Sequence, residues 1–217
     1  MKKSGIIQFG SLLLVSALAA TAHAESFAVD AAHTDIAFKV RHMGISTVTG
    51  RFDKFDGSFD VDPKNIKATK GGLVIQVNSI STGNAKRDGH LQSPDFFDAA
   101  KYPEIKFASK EVKDVNEKDS TATLVGDLTM HGVTKEITLK IKGGGIINDG
   151  MGNQRAAFTA AGKINRYDFG LKWNKALEAG SVMVSEDVEL ILSFEGVHKL
   201  AAASAPAKPA AEPAKAK

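Results

Sequence analysis

Few residues of this chain have types and spacing suited to chemistry. Six histidines are present. His23 falls in an apolar N-terminal leader, which leaves His33, His42, His90, His131 and His198. No two of them stand at the spacing that grips one metal ion, and there is no H-x-x-x-H. No G-x-S-x-G elbow offers an activated serine. The glycines that begin at Gly143 fail the dinucleotide fingerprint, because Asn148 stands where its last glycine belongs and no βαβ unit surrounds them. Arg87-Asp88 and Arg166 with Asp168 suggest anion recognition, since a guanidinium fork matches phosphate. The plainer reading is that they anchor the helix segment and a strand end. The residues show no catalytic motif, no cofactor motif and no metal spacing, so the enzyme reading has no positive support in them.

The elements that would position such residues are strands. Ile36, Phe38, Val40 and His42 alternate with Asp35, Lys39 and Arg41, the pattern of a strand buried on one side. The same period recurs at Leu73, Ile75 and Val77, at Leu124, Gly126, Leu128 and Met130, at Ile137, Leu139 and Ile141, and at Val188, Leu190, Leu192 and Phe194. Turn residues separate these runs: Met43-Gly44, Gly50, Asp62 to Asn65, Lys70-Gly71-Gly72, Asn116 to Asp119, His131-Gly132, Gly143 to Gly145 and Asn148 to Gly150. The spacing predicts an all-β sandwich or barrel. Ser93-Pro94-Asp95 carries a helix-start signature, with serine as cap and proline in the first turn, so a short helix is expected within residues 84–100.

The ends of the chain read differently. Lys2 and Lys3, an apolar run from Ile6 to Ala20 and the Ala22-His23-Ala24 pattern predict a secretory signal peptide over 1–24 and a periplasmic product. The run is shorter than the roughly 20 residues a spanning helix needs. Residues 201–217 are an Ala/Pro/Lys tail that lacks core-forming side chains and is expected to be disordered. Residues 25–200 remain as one domain, with no cysteine to brace it. The leader holds two lysines and no acid, so the net charge falls from +3 to +1 without it. The charges are interspersed, which argues against nucleic acid as a partner.

A closed barrel of about eight strands has room for one small ligand. Small inward residues (Gly126, Ala156, Ala160, Gly162) leave two readings open, an apolar cavity or a lumen filled by its own side chains.

Several ordered blocks resemble the YceI-like family of bacterial exported proteins. These are Asp30, His33, Phe38, Val40 and His42; Gly50-Arg51-Phe52; Arg87-Asp88-Gly89-His90-Leu91; Ser93 to Asp98; Tyr102-Pro103; Gly126 to Lys135; and Asn165 to Gly170. The resemblance spans about Glu25 to Glu195. It implies a lipocalin-like antiparallel β-barrel that binds an isoprenoid lipid, with an isoprenoid quinone or a prenyl phosphate as cargo. The expected lining is Ile36, Phe38, Val40, His42, Phe52, Phe55, Leu91, Phe96, Phe97, Leu128, Met130 and Phe158. His42, Arg87 and Arg166 are the expected partners of a polar head group, and each has a structural alternative. The expected role is binding, transport or storage of the lipid in the periplasm, with a transient inner-membrane contact and a homodimer as further expectations. A quinone-linked redox partner or enzyme, and a stress-induced structural protein with a filled barrel, are the competing readings.

Overall fold

The computed structural model describes residues 24–177 and 182–200. The expected tail, and the expected signal peptide up to His23, lie outside the described residues. The period-two runs form eleven strands. They are β1 (Glu25–Val29), β2 (Asp35–His42), β3 (Ser46–Phe52), β4 (Phe55–Val61), β5 (Lys70–Gln76), β6 (Ile80–Ser81), β7 (Glu104–Asn116), β8 (Thr121–Met130), β9 (Val133–Asn148), β10 (Asn153–Asn165) and β11 (Val184–Lys199). One helix, α1 (Ala85–Gln92), lies between β6 and β7.

Every strand pairing is antiparallel. The long strand β11 pairs with β2 through its first half and meets β1 at Ala28↔Val197 and Val29↔Gly196. β1 and β2 thus stand end to end beside it. β3 and β4 stand end to end one position further on, as do β6 and β5. The result is a closed antiparallel barrel of eight strand positions. Closure removes the sheet edges that would otherwise expose unpaired backbone.

Three turn expectations are corrected. Lys70-Gly71-Gly72 open β5, paired with Asp60, Phe59 and Ser58 of β4. Gly143 to Gly145 do not end a strand. They lie inside β9, where Ala157 faces Gly145 and Phe158 faces Gly143, so that Gly144 is an extra residue. This is a bulge, tolerated because Gly145 takes a φ of +104°. Gly50 also lies within a strand, opposite Phe38. The helix signature was displaced too. Asn84, not Ser93, caps α1, and its side chain accepts from the Arg87 amide at 3.1 Å. Ser93 stands at the other end and donates to the His90 carbonyl at 2.8 Å. The Ser93–Asp98 stretch is a tight turn that follows the helix.

Candidate lipid-binding site

The inward faces of the strands enclose a cavity of about 240 Å³. Its wall is hydrocarbon over nearly its whole length. Ten of the twelve expected lining residues meet there: Ile36, Phe38, Val40, Phe52, Leu91, Phe96, Phe97, Leu128, Met130 and Phe158. His42 and Phe55 do not. On β2 the cavity lining stops at Val40, two residues short of His42, which is half-buried near the β2–β3 turn. Phe55 opens β4 where the chain kinks after Phe52 and packs against the surrounding core instead.

The wall also contains residues that were visible as alternating runs but not singled out. Ile137, Leu139 and Ile141 of β9 and Val188, Leu190, Leu192 and Phe194 of β11 all face the lumen. The period-two alternation was the signal that could have found them, since each run is the inward half of its strand.

The two ends of the lumen are closed by different means. At one end, α1 and the turn after it drive Phe96 and Phe97 inward beside Met130 and Leu171. His90 pins that plug. Its Nε2 meets Asp95 at 2.9 Å, and its ring stands edge-on to Phe96 and Trp173 at centroid distances of 5.1 and 5.0 Å. At the other end, Phe27 stacks on Phe59 at 5.5 Å, Phe59 meets Phe158 edge-on at 5.1 Å, and Phe158 stacks on Phe194 at 4.8 Å.

The two arginines expected at a lipid head are committed elsewhere. Arg87 lies outside the cavity lining. Its guanidinium donates to the Thr82 hydroxyl at 2.7 Å and to the Thr82 carbonyl at 2.8 Å. Asp88 accepts from the Thr82 amide at 2.9 Å, so the Arg-Asp pair clamps the chain entering α1. Arg166 does line the cavity, and it is buried. It donates to the carbonyls of Ser185, Leu171, Trp173 and Val184, which leaves one of its five N–H groups uncommitted. Burial pushes this guanidinium below its ordinary value, while Tyr167 and Glu186 act in the opposite direction. Arg166 is the tie that holds β10, the turn after it and the start of β11 together.

Among the described residues, one set of side chains has the geometry of a cation site: Asp30, His33 and Glu195. A cation of the protein already sits there. Arg155 donates to Asp30 at 3.0 Å and to Glu195, and reaches Asp149 at 3.4 Å. The carboxylates share one guanidinium, and the cluster fastens the seam where β1 meets β11.

Residues 27–196 match the model of the YceI-like domain. This chain belongs to the YceI-like family. Protein YceI of Escherichia coli O157:H7 is 41% identical over 201 residues, covering 92% of this chain and 100% of that one. The crystal structure of the Campylobacter jejuni YceI protein is 34% identical with a TM-score of 0.63, over 78% of this chain and 96% of that one. A polyisoprenoid binding domain from Saccharophagus degradans matches with a TM-score of 0.55 over 82% and 99% of the two chains. At 18% identity that last likeness shows the shared fold alone. The YceI-like motif blocks map onto distinct tasks in this barrel. The first builds β2, the Arg87-Asp88 block clamps α1, and the Asn165 to Gly170 block carries the buried Arg166.

Proposed function

We propose that this chain binds an isoprenoid lipid in its lumen and carries or stores it in the periplasm, without catalysing a reaction. The observation that carries this reading is a cavity walled almost entirely by hydrocarbon inside a YceI-like barrel. The solved Saccharophagus degradans domain with the same fold is a polyisoprenoid binder. The lining contains no carboxylate and no imidazole among the described residues, so the chemistry it offers is solvation of an apolar chain.

Magnitudes bound the cargo. An engineered cavity of about 150 Å³ holds benzene, a molecule of six carbons. By that proportion 240 Å³ takes about ten carbons, or two isoprene units, in the present conformation. At roughly 0.8 kcal/mol per buried CH₂, ten carbons contribute about 8 kcal/mol before the costs of association. A longer prenyl chain requires the rings of Phe38, Phe52 and Phe97 to turn aside. They touch one another in sequence, at centroid distances of 5.8 and 6.0 Å, and would move together.

The test is native mass spectrometry of the protein purified from its own periplasm, with organic extraction of whatever it holds. A stoichiometric mass that extracts as a prenyl lipid is the expected result. A clean apo mass, with no uptake of added isoprenoid quinone or prenyl phosphate, overturns the proposal.

A further inference from the structure

The cavity wall reaches solvent in one region. Among its lining residues, only Ser58, Lys70 and Gly72 are exposed. The register sets them side by side. Ser58 of β4 faces Gly72 of β5, and Gly72 faces Ala108 of β7, the neighbour of Ser109. Both ends of the barrel are plugged by aromatic and aliphatic side chains, whereas here two consecutive glycines, Gly71 and Gly72, leave the wall without side chains. A Cβ at Gly72 would meet nothing closer than the Phe107 carbonyl oxygen at 3.6 Å.

The polar groups of the lumen gather at this same place. Apart from Arg166, which is tied to four carbonyls at the far end, the polar residues of the wall are Ser58, Thr69, Lys70 and Ser109, of which Ser58 and Lys70 belong to the outward phase of β4 and β5. The Thr69 hydroxyl is buried and has no hydrogen-bond partner. Native proteins rarely leave such a group unmatched, because it loses its water and gains nothing in return. Ser109 Oγ accepts from the Gly71 amide at 2.7 Å, which leaves its own proton free to be donated. Lys70 forms no ion pair among the described residues.

We propose that the lipid enters and leaves through this lateral portal between β4, β5 and β7, and that its oxygen-bearing head rests there. Thr69 and Ser109 donate to the head, Lys70 lies beside it, and the tail runs toward Met130 and Leu171. This rests on the reading that the barrel binds an isoprenoid. Quinone and prenyl phosphate heads share one chemistry, an acceptor oxygen at the end of an apolar chain. They differ in charge, and Lys70 is the residue that would sense it.

The experiment uses the full chain and two probes with matched ten-carbon tails, geranyl phosphate and a decyl-substituted quinone. Thr69→Val is expected to weaken both by about tenfold, the loss of one good hydrogen bond. Its apo melting temperature stays level or rises, because a hydroxyl without a partner becomes a methyl group. Lys70→Gln is expected to weaken only the phosphate, by roughly three- to tenfold, and an unchanged phosphate affinity overturns the role given to Lys70. Gly72→Leu is expected to slow association of both by about tenfold or more while the fold is kept, as the space around Gly72 permits. Wild-type affinity in Thr69→Val overturns the head-group assignment, and wild-type kinetics in Gly72→Leu overturns the portal. Failure of the wild-type protein to bind either probe is a different result. It removes the isoprenoid reading itself.

Discussion

Gly50 faces Phe38 across the β2–β3 pair, and a Cβ at position 50 would stand 2.4 Å from the Phe38 ring. The glycine is the seat of that ring. The same device recurs where a Cβ at Gly126 would meet Phe107 at 2.3 Å, and one at Gly196 would meet Phe59 at 2.6 Å. Large rings lie flat along the wall because glycine yields the space, and the lumen stays open between them. Gly50→Val should therefore destabilise the protein by about 1–3 kcal/mol through overpacking and should lower lipid capacity as the ring is pushed inward. Adding Phe38→Leu to the same chain should restore part of both. Urea unfolding of the single and double variants checks this, and a double variant no more stable than Gly50→Val would break the assigned link between the two residues.

Phe27 is wholly buried and closes the end of the barrel opposite α1. Its strand meets β11 through only two residue pairs, so side-chain packing must complete the seam. Phe27→Ala should cost about 3–5 kcal/mol, as large aromatic truncations in a core do. Phe97, half-buried at the opposite plug, should cost less. Chemical denaturation of both variants checks the ranking, and an equal cost would mean that the two plugs carry the fold alike.

The barrel was legible because one face of each strand is buried, and burial writes a period of two into the sequence. Ile36, Phe38, Val40, Leu128 and Met130 followed from the same signal, whereas Leu91, Phe96 and Phe97 lie on α1 and the turn after it and carry no period of two. What stayed hidden depends on distances along no strand. Asn84 caps α1 although Ser93-Pro94 has the better signature, because Arg87 and Asp88 already bind Thr82 and fix where the helix begins. The glycine triplet in β9 reads as a turn, and only its partner strand shows that it is a bulge. His42 keeps the inward phase of β2 but is not part of the cavity wall, although Val184 opposite it on β11 is, since phase alone does not say which side chains a lumen touches. The partners of Arg166 lie up to 19 residues away and are backbone carbonyls, which leave no side-chain pattern to read.

The seam at Arg155 should be sensitive to acid. The Asn153 side chain, followed by the backbone amide of Met151, holds the Asp149 carboxyl down to about 2 from its ordinary 3.8. Asp30 is also lowered, chiefly by its hydrogen bond to His33. A carboxyl depressed in the folded state contributes its full stabilisation above its unfolded value and loses it as pH falls through the folded one. The melting temperature should thus fall between about pH 4 and pH 2. Asp149→Asn should lower it at pH 6 and flatten the fall. Thermal unfolding from pH 6 to pH 2 checks this, and an unchanged slope in the variant would remove Asp149 from the acid response.

Ala160 gives the sharpest test of whether the lumen is empty or filled. It faces the cavity from β10, opposite Leu192, and is 3% exposed. In a close-packed core, Ala160→Phe would force neighbours off their rotamers and cost about 1–3 kcal/mol. In a lumen with 240 Å³ of free space, the ring enters the space where lipid would lie. The cost should then stay within about 1 kcal/mol, because burying the new ring offsets local strain. Binding of a ten-carbon prenyl probe should fall by about tenfold or more, since the ring removes space for several methylene groups. Measured together, stability and binding separate the two architectures. Retained stability with lost binding marks an open cavity that lipid uses, whereas a large loss of stability marks a barrel filled by its own side chains.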